Sequence, residues 1–245
     1  IQIKAKVSGI YFENLAGTIT LKEGSNQIAT AALSNGSAIL EWTNVPTGDH
    51  NLLVEYTAPS NSNYTDETSS NISFNVAKAP QASLHINEVT GKKFLDGSFT
   101  LGTTGGTGTG AVSYSASSND EISISGNTAT ITGAGTVTVT AIKAEDENYL
   151  SATAQTVITI DKAPAPTITY PTASRINYGQ KLLDSILDGG SITLGSFSWR
   201  ESEKDLVPTV NGGTNIARVI FTPNATTVKN YEEISQVARE AGVIF

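Results

Sequence analysis

Three Asn-Tyr pairs recur at a nearly constant interval along the 245-residue chain, and no other feature limits the possible folds as much. Asn63-Tyr64, Asn148-Tyr149 and Asn230-Tyr231 place their tyrosines 85 and 82 residues apart. Lys78-Ala79-Pro80 begins fourteen residues after Tyr64, and Lys162-Ala163-Pro164 begins thirteen residues after Tyr149. A period of this length suits one small domain per repeat. Ala-Pro disfavours helix before the proline and cannot donate to a β-ladder, so it suits a short stiff linker between a last strand and a first strand. The expected boundaries fall near 79/80 and 163/164. They define repeat 1 (1–79), repeat 2 (80–163) and repeat 3 (164–245).

Within each repeat the hydrophobic period is two. In repeat 1, Gly17–Leu21, Ser37–Trp42, Asn51–Tyr56 and Asn71–Val76 read as strands. Ile72, Phe74 and Val76 share one face there, opposite Ser73 and Asn75. Ser34-Asn35-Gly36 and Pro46-Thr47-Gly48-Asp49 supply turn chemistry between strands. Repeat 2 offers Val112–Tyr114, Ile122–Ser125, Thr128–Ile131 and Val137–Ile142, with a Gly126-Asn127 turn. Short strands every 8–12 residues predict an all-β sandwich or barrel. In repeat 3, Ser196–Trp199 and Ala217–Thr222 read as strands. Tyr231–Ala241 has local helical character, but its repeat position predicts a strand.

Composition narrows the chemistry. The chain has no Cys and no Met, and 57 Ser and Thr residues, a turn-rich, β-leaning mixture. Without sulfur, disulfide staples, cysteine-bound zinc and thiol nucleophiles are excluded. A formal charge of −8 opposes attraction to a phosphate backbone, so nucleic acid is not an expected partner. No apolar run approaches the length of a membrane span, so no membrane insertion is expected in this segment. The absence of an initiator Met, with alternation from Ile1 onward, suggests an excised piece of a longer exported protein. The charge divides as −3, −4 and −1 over the three repeats, and all four arginines (Arg175, Arg200, Arg218, Arg239) lie in repeat 3. Arginine favours interfaces, which makes repeat 3 the better candidate for a protein contact.

A family resemblance rests on these residues. Gly17-Thr18-Ile19-Thr20-Leu21, Leu33–Ala38, Pro46-Thr47-Gly48-Asp49-His50 and Asn63-Tyr64 make repeat 1 look like the bacterial immunoglobulin-like repeats of multidomain surface proteins. Repeat 2 resembles a related group through Gly108–Tyr114, Gly126–Thr136 and Glu147-Asn148-Tyr149. Repeat 3 resembles another bacterial repeat through Ile176–Gln180, Gly195–Trp199, Phe221-Thr222-Pro223 and Asn230-Tyr231. The resemblance implies three tandem Ig-like antiparallel β-sandwich domains in an elongated row, on the bacterial cell surface or secreted. It implies a stalk, spacer or adhesin role, monomeric and without catalysis. The alternatives are a module that binds a host glycan or protein, and accessory domains of a larger exported enzyme.

Candidate sites are few. His50 and His85 lie in different repeats, which opposes a nucleophile–base pair or a multi-histidine metal site. The turn before His50 places it at an exposed strand start. Serine is abundant, but no Gly-x-Ser-x-Gly elbow occurs. Glu145, Asp146 and Glu147 cluster in the loop before Tyr149 and form a weak calcium candidate, since carboxylates in a loop suit Ca²⁺. They lack the alternating acidic spacing of a dedicated calcium loop, and no cofactor is expected. The run Gly102–Gly110 has no Gly-Lys-Ser/Thr ending, so it reads as a long flexible connection rather than a phosphate loop. Gly105 and Gly106 at its centre are weak recognition candidates, because loops carry function on rigid scaffolds. Trp42 and Trp199, each ending a strand, are weak candidates for stacking on sugar rings. Their regular placement favours core packing.

Overall fold

A computed structural model of the chain describes residues 1–7, 15–60, 62–209, 216–235 and 239–244. It packs as two compact units. The first comprises Ile1–Ser83, Gly106–Ala111 and Lys143–Ala152; the second comprises Leu84–Gly105, Val112–Ile142 and Thr153–Phe245.

In the first unit the strands are β1 (Gln2–Lys6), β2 (Thr18–Glu23), β3 (Asn26–Ala32), β4 (Ser37–Glu41), β5 (Gly48–Thr57), β6 (Glu67–Thr68) and β7 (Ile72–Val76). β3, β2 and β5 lie side by side, with both β6 and β7 paired to β5, while β1 pairs β4 in a second sheet. Alternation dictates which residues turn inward. Ile19 and Leu21 of β2, Leu40 of β4 and Leu52 of β5 are fully buried and build one cluster with Ala5, Leu33 and Tyr56. Each such side chain contributes about 1.5–3 kcal/mol by leaving water. Gly17 lets the chain enter β2 close to this core. Its φ is +147°, and a Cβ there would run into the Tyr56 ring, whose hydroxyl donates to Ala16 O at 2.8 Å.

The second unit contains β8 (Leu84–Ile86), β9 (Lys92–Lys93), β10 (Ser98–Thr100), β11 (Thr103–Gly105), β12 (Val112–Ala116), β13 (Ile122–Ser125), β14 (Thr128–Ile131), β15 (Gly135–Lys143) and β16 (Ala152–Asp161). Here β10-β14-β13 form one sheet and β12-β15-β16-β9 another, with β9 parallel to the end of β16. Leu101, Ile122, Val137, Val139, Ile158 and Ile160 fill the space between them. The glycine-rich run is not a long flexible connection throughout. Thr103–Gly105 is strand β11, in antiparallel register with β8. Threonine at 103 and 104 favours that extended pairing despite the glycines around it.

The same unit continues through β17 (Thr172–Ala173), a 3₁₀ turn (Leu182–Asp184), β18 (Leu187–Asp188), β19 (Gly195–Trp199), β20 (Ile216–Pro223), α1 (Ala225–Asn230) and β21 (Glu240–Ile244). β19-β20-β21 form an antiparallel sheet over a cluster of Leu182, Trp199, Ala217 and Val219. Tyr231–Ala241 is neither one helix nor one strand. The helix lies upstream at Ala225–Asn230, where the Asn224 side chain accepts from the Thr227 amide as an N-cap. The last strand starts only at Glu240, and residues 236–238 lie outside the described residues.

Candidate functional site

The recurring sequence elements meet at two junctions. At the first, the Ala79 amide donates to Asn148 O at 2.9 Å and the Leu150 amide donates to Ala79 O at 2.9 Å, a one-residue parallel bridge between Ala79 and Tyr149. At the second, the Ala163 amide donates to Asn230 O at 2.9 Å and the Glu232 amide donates to Ala163 O at 2.8 Å, the same bridge between Ala163 and Tyr231. The alanine of each Lys-Ala-Pro linker is thus stitched to the Asn-Tyr pair of the following repeat. Proline next to the alanine is compatible with this, because only the alanine's own amide and carbonyl are used.

Side chains brace each bridge differently. At the first junction Asp146 organises the receiving loop. Its Oδ2 accepts from the Thr109 amide and hydroxyl, and its Oδ1 accepts from the amides of Asn148 and Tyr149 at 2.9 Å each. The Thr109 amide above all, then those of Asn148 and Tyr149, lower the Asp146 carboxyl to a pKa of about 2. Lys78 pairs with Glu145 at 3.2 Å, and the Thr47 hydroxyl donates to Glu147 O. The candidate calcium loop is therefore not a convergent carboxylate cage: Glu145 turns to Lys78, Asp146 is engaged by four donors, and Glu147 contributes a carbonyl to Thr47. Among the described residues no group of three or more His, Asp and Glu is placed to hold a metal ion. Gly106 lies beside Gln81 and the Lys143 stem, and Gln81 in turn donates to Ala144 O and Leu150 O. Gly105 ends β11.

The second junction is more deeply packed. Asn230 is 3% exposed, and its Oδ1 accepts from the buried Ala134 amide at 2.8 Å. Lys229 Nζ reaches Glu121 Oε1 at 3.1 Å and Asp120 O at 3.2 Å. The Lys229 contact holds the Glu121 carboxyl below its ordinary pKa. Lys162 Nζ donates to Val228 O at 2.6 Å, and the Phe94 and Tyr231 rings meet edge to face at 5.4 Å. Gly133 admits this contact, since a Cβ there would strike Asp120 O and crowd the Asn230 amide oxygen.

The other candidates fall inside the folds. Trp199 is 7% exposed, and its Nε1 donates to Ser185 O at 3.2 Å. Trp42 is half-buried against the first core, edge to face with His50 at 4.9 Å. Trp199 is thus buried, while Trp42 keeps part of its surface exposed. His50 is not an exposed strand start: it is 6% exposed within β5, with Nε2 2.9 Å from Pro46 O and Nδ1 2.8 Å from Glu23 Oε1. A carbonyl only accepts, so Nε2 carries a proton; a carboxylate facing Nδ1 favours a second. The Pro46 carbonyl, then Glu23, raise the His50 pKa. Three of the four arginines serve intramolecular pairing. Glu203 and Glu240 are each shared by Arg200 and Arg218, at 3.3–3.8 Å, and Arg239 reaches Glu233 at 3.7 Å. No helix among the described residues is long and apolar enough to cross a membrane.

No curated protein matches the chain. Among solved structures, fibronectin(III)-like modules of Clostridium thermocellum CbhA are similar at 13% identity over 66% of this chain and 85% of theirs, with a TM-score of 0.28. That superposition is too loose to carry an argument. Residues 1–77 match the family described as bacterial Ig-like domain (group 3), so the resemblance to bacterial immunoglobulin-like repeats holds on the first repeat of this all-β chain.

Proposed function

We propose that the chain is a non-catalytic spacer segment of a bacterial cell-surface or secreted multidomain protein: three Ig-like sandwiches joined in tandem by stiffened linkers. The observation that carries this reading is the repeated bridge, in which Ala79 and Ala163 each exchange two backbone hydrogen bonds with the Asn-Tyr segment of the next repeat. A free linker of this length would act as a hinge. One tied by two backbone bonds and braced by Lys78–Glu145 or Lys229–Glu121 resists bending. Three separate buried clusters support one core per repeat.

Small-angle scattering of a bridge variant beside the parent tests the reading, and an unchanged profile refutes it. Replacing Ala163 by Pro deletes the amide that bridges to Asn230 O. The expected result is a broadened distribution of interdomain distances with each repeat still folded.

A further inference from the structure

We propose that repeat 3 carries a self-association face: an apolar patch of Tyr178, Leu183, Leu206 and Val207, rimmed by the ion pairs Lys181–Asp205 and Lys204–Glu201, which docks on the same patch of a second copy of this chain about a two-fold axis.

Two fixed turns build the patch. In the first, the 3₁₀ turn Leu182–Asp184, the Asp184 carboxylate accepts from the Lys181 amide at 2.9 Å, and the Asp184 amide donates to Lys181 O at 3.0 Å. In the second, residues 200–206, the Glu203 and Lys204 amides both donate to Arg200 O, and the Leu206 amide donates to Glu203 O. The Glu203 carboxylate accepts from the Arg218 amide at 2.7 Å, which ties this turn to β20. The turns are also laced to each other. The Leu182 amide donates to Leu206 O at 2.8 Å, the Leu183 amide donates to Lys204 O at 2.9 Å, and Lys181 Nζ donates to Asp205 Oδ1 at 2.8 Å.

Leu182 is fully buried in the Trp199 cluster. Its neighbours are not. Leu183, Leu206 and Val207 are each half or more exposed, and Tyr178, in the turn just before, is 82% exposed. Apolar side chains left in water add little to folding. Displayed on turns that are already fixed, they lose little freedom on docking, and tyrosine is a favoured interface anchor.

Charge selects the partner. The chain carries −8, of which repeats 1 and 2 hold −3 and −4 and repeat 3 only −1, so copies repel least through repeat 3. At the rim each cation already has an anion: Asp205 for Lys181, and Glu201, at 2.6 Å, for Lys204. A strongly acidic or strongly basic partner would meet a like charge at both pairs. A second copy turned about a two-fold axis brings the same balanced rim and sets cation against anion in both directions. This departs from the monomer that the family resemblance implied.

Sedimentation velocity on the full chain, from micromolar concentrations to about 1 mM, reads the association. The parent should pass from monomer to dimer. Leu183→Ser combined with Leu206→Ser should weaken the dimer at least about tenfold, the loss of one interface anchor, and leave the melting temperature unchanged because both side chains are exposed. Lys204→Glu makes the rim net acidic and Glu201→Lys makes it net basic. Each alone should weaken the dimer, and an equimolar mixture of the two should restore it as a heterodimer. If the leucine variant does not fold, the charge variants carry the test. A parent that stays monomeric to about 1 mM, or a dimer that survives both the leucine and the single charge substitutions, overturns the proposal. Growth past the dimer into open chains means that the patch meets a different surface of the next copy and overturns the two-fold reading. A monomer that binds phosphatidylcholine vesicles through the patch gives it another occupant and overturns the proposal equally.

Discussion

Asn148 and Asn230 occupy one position of the repeat, yet their side chains have opposite surroundings, and substitution of each by Ala separates the two junctions. Asn230 is 3% exposed and gives its Oδ1 to the Ala134 amide, itself in a residue only 4% exposed. Asn230→Ala leaves that amide buried without an acceptor, which costs about 1–3 kcal/mol, a five- to over a hundredfold rise in the open population. Asn148 is exposed, and its side chain accepts and donates nothing among the described residues; its backbone carbonyl does the bridging, and alanine retains it. Asn148→Ala therefore stays within about 0.5 kcal/mol of the parent. Urea unfolding gives both values, and exchange at the Ala134 amide reads the local effect. The Asn230→Ala variant should accelerate that amide by the factor its lost stability requires. Asn230→Asp, which keeps the acceptor oxygen, should recover part of it. Equal costs at the two positions, or an Ala134 amide that exchanges at the parental rate, would refute the reasoning that the side-chain contact rather than the bridge makes the second junction strong.

Acidification should loosen the first junction through Asp146. Its depressed folded pKa of about 2 means its contribution is complete above the ordinary carboxylate value and fades as pH falls towards 2. Below pH 4, exchange at Thr109, Asn148 and Tyr149, corrected for intrinsic rates, should accelerate, and Asp146→Asn should show the acceleration already at pH 7. Added calcium should leave the melting temperature unchanged, because the Asp146 oxygens are already engaged. His50 runs the other way: its pKa lies above 6.5, so its contribution is full below 6.5 and lost as pH rises through the folded value. An NMR titration finding His50 at or below 6.5 would contradict the Pro46 and Glu23 contacts. Trp199→Ala should cost about 3–5 kcal/mol and unfold repeat 3, whereas a folded variant that loses glycan binding would revive the sugar-stacking alternative.

Periodicity made much of the β architecture legible. β2, β4, β5, β7, β13, β14, β15, β19 and β20 all fall on alternating runs in the sequence, because half-buried strands must alternate. β3 was harder, since Asn26–Ala32 carries small residues whose faces differ little. His50 was misplaced because Pro46–Asp49 looks like an exposed turn. Its parity with Leu52 and Tyr56 on the inward face of β5 was the usable signal. Helix α1 hid behind Asn224-Ala225-Thr226, which reads equally as a glycosylation site and as an N-cap. The Tyr period was visible, but its purpose was not. The bonds it marks join residues 69 and 67 positions apart, and no local pattern encodes such a pairing.

That separation also fixes an order of events. Ala79 leaves the ribosome long before Asn148 does, and Ala163 long before Asn230. Each linker must therefore stay slack until nearly all of the following repeat has emerged and folded. The Ala79 bridge therefore closes before the Ala163 bridge during synthesis.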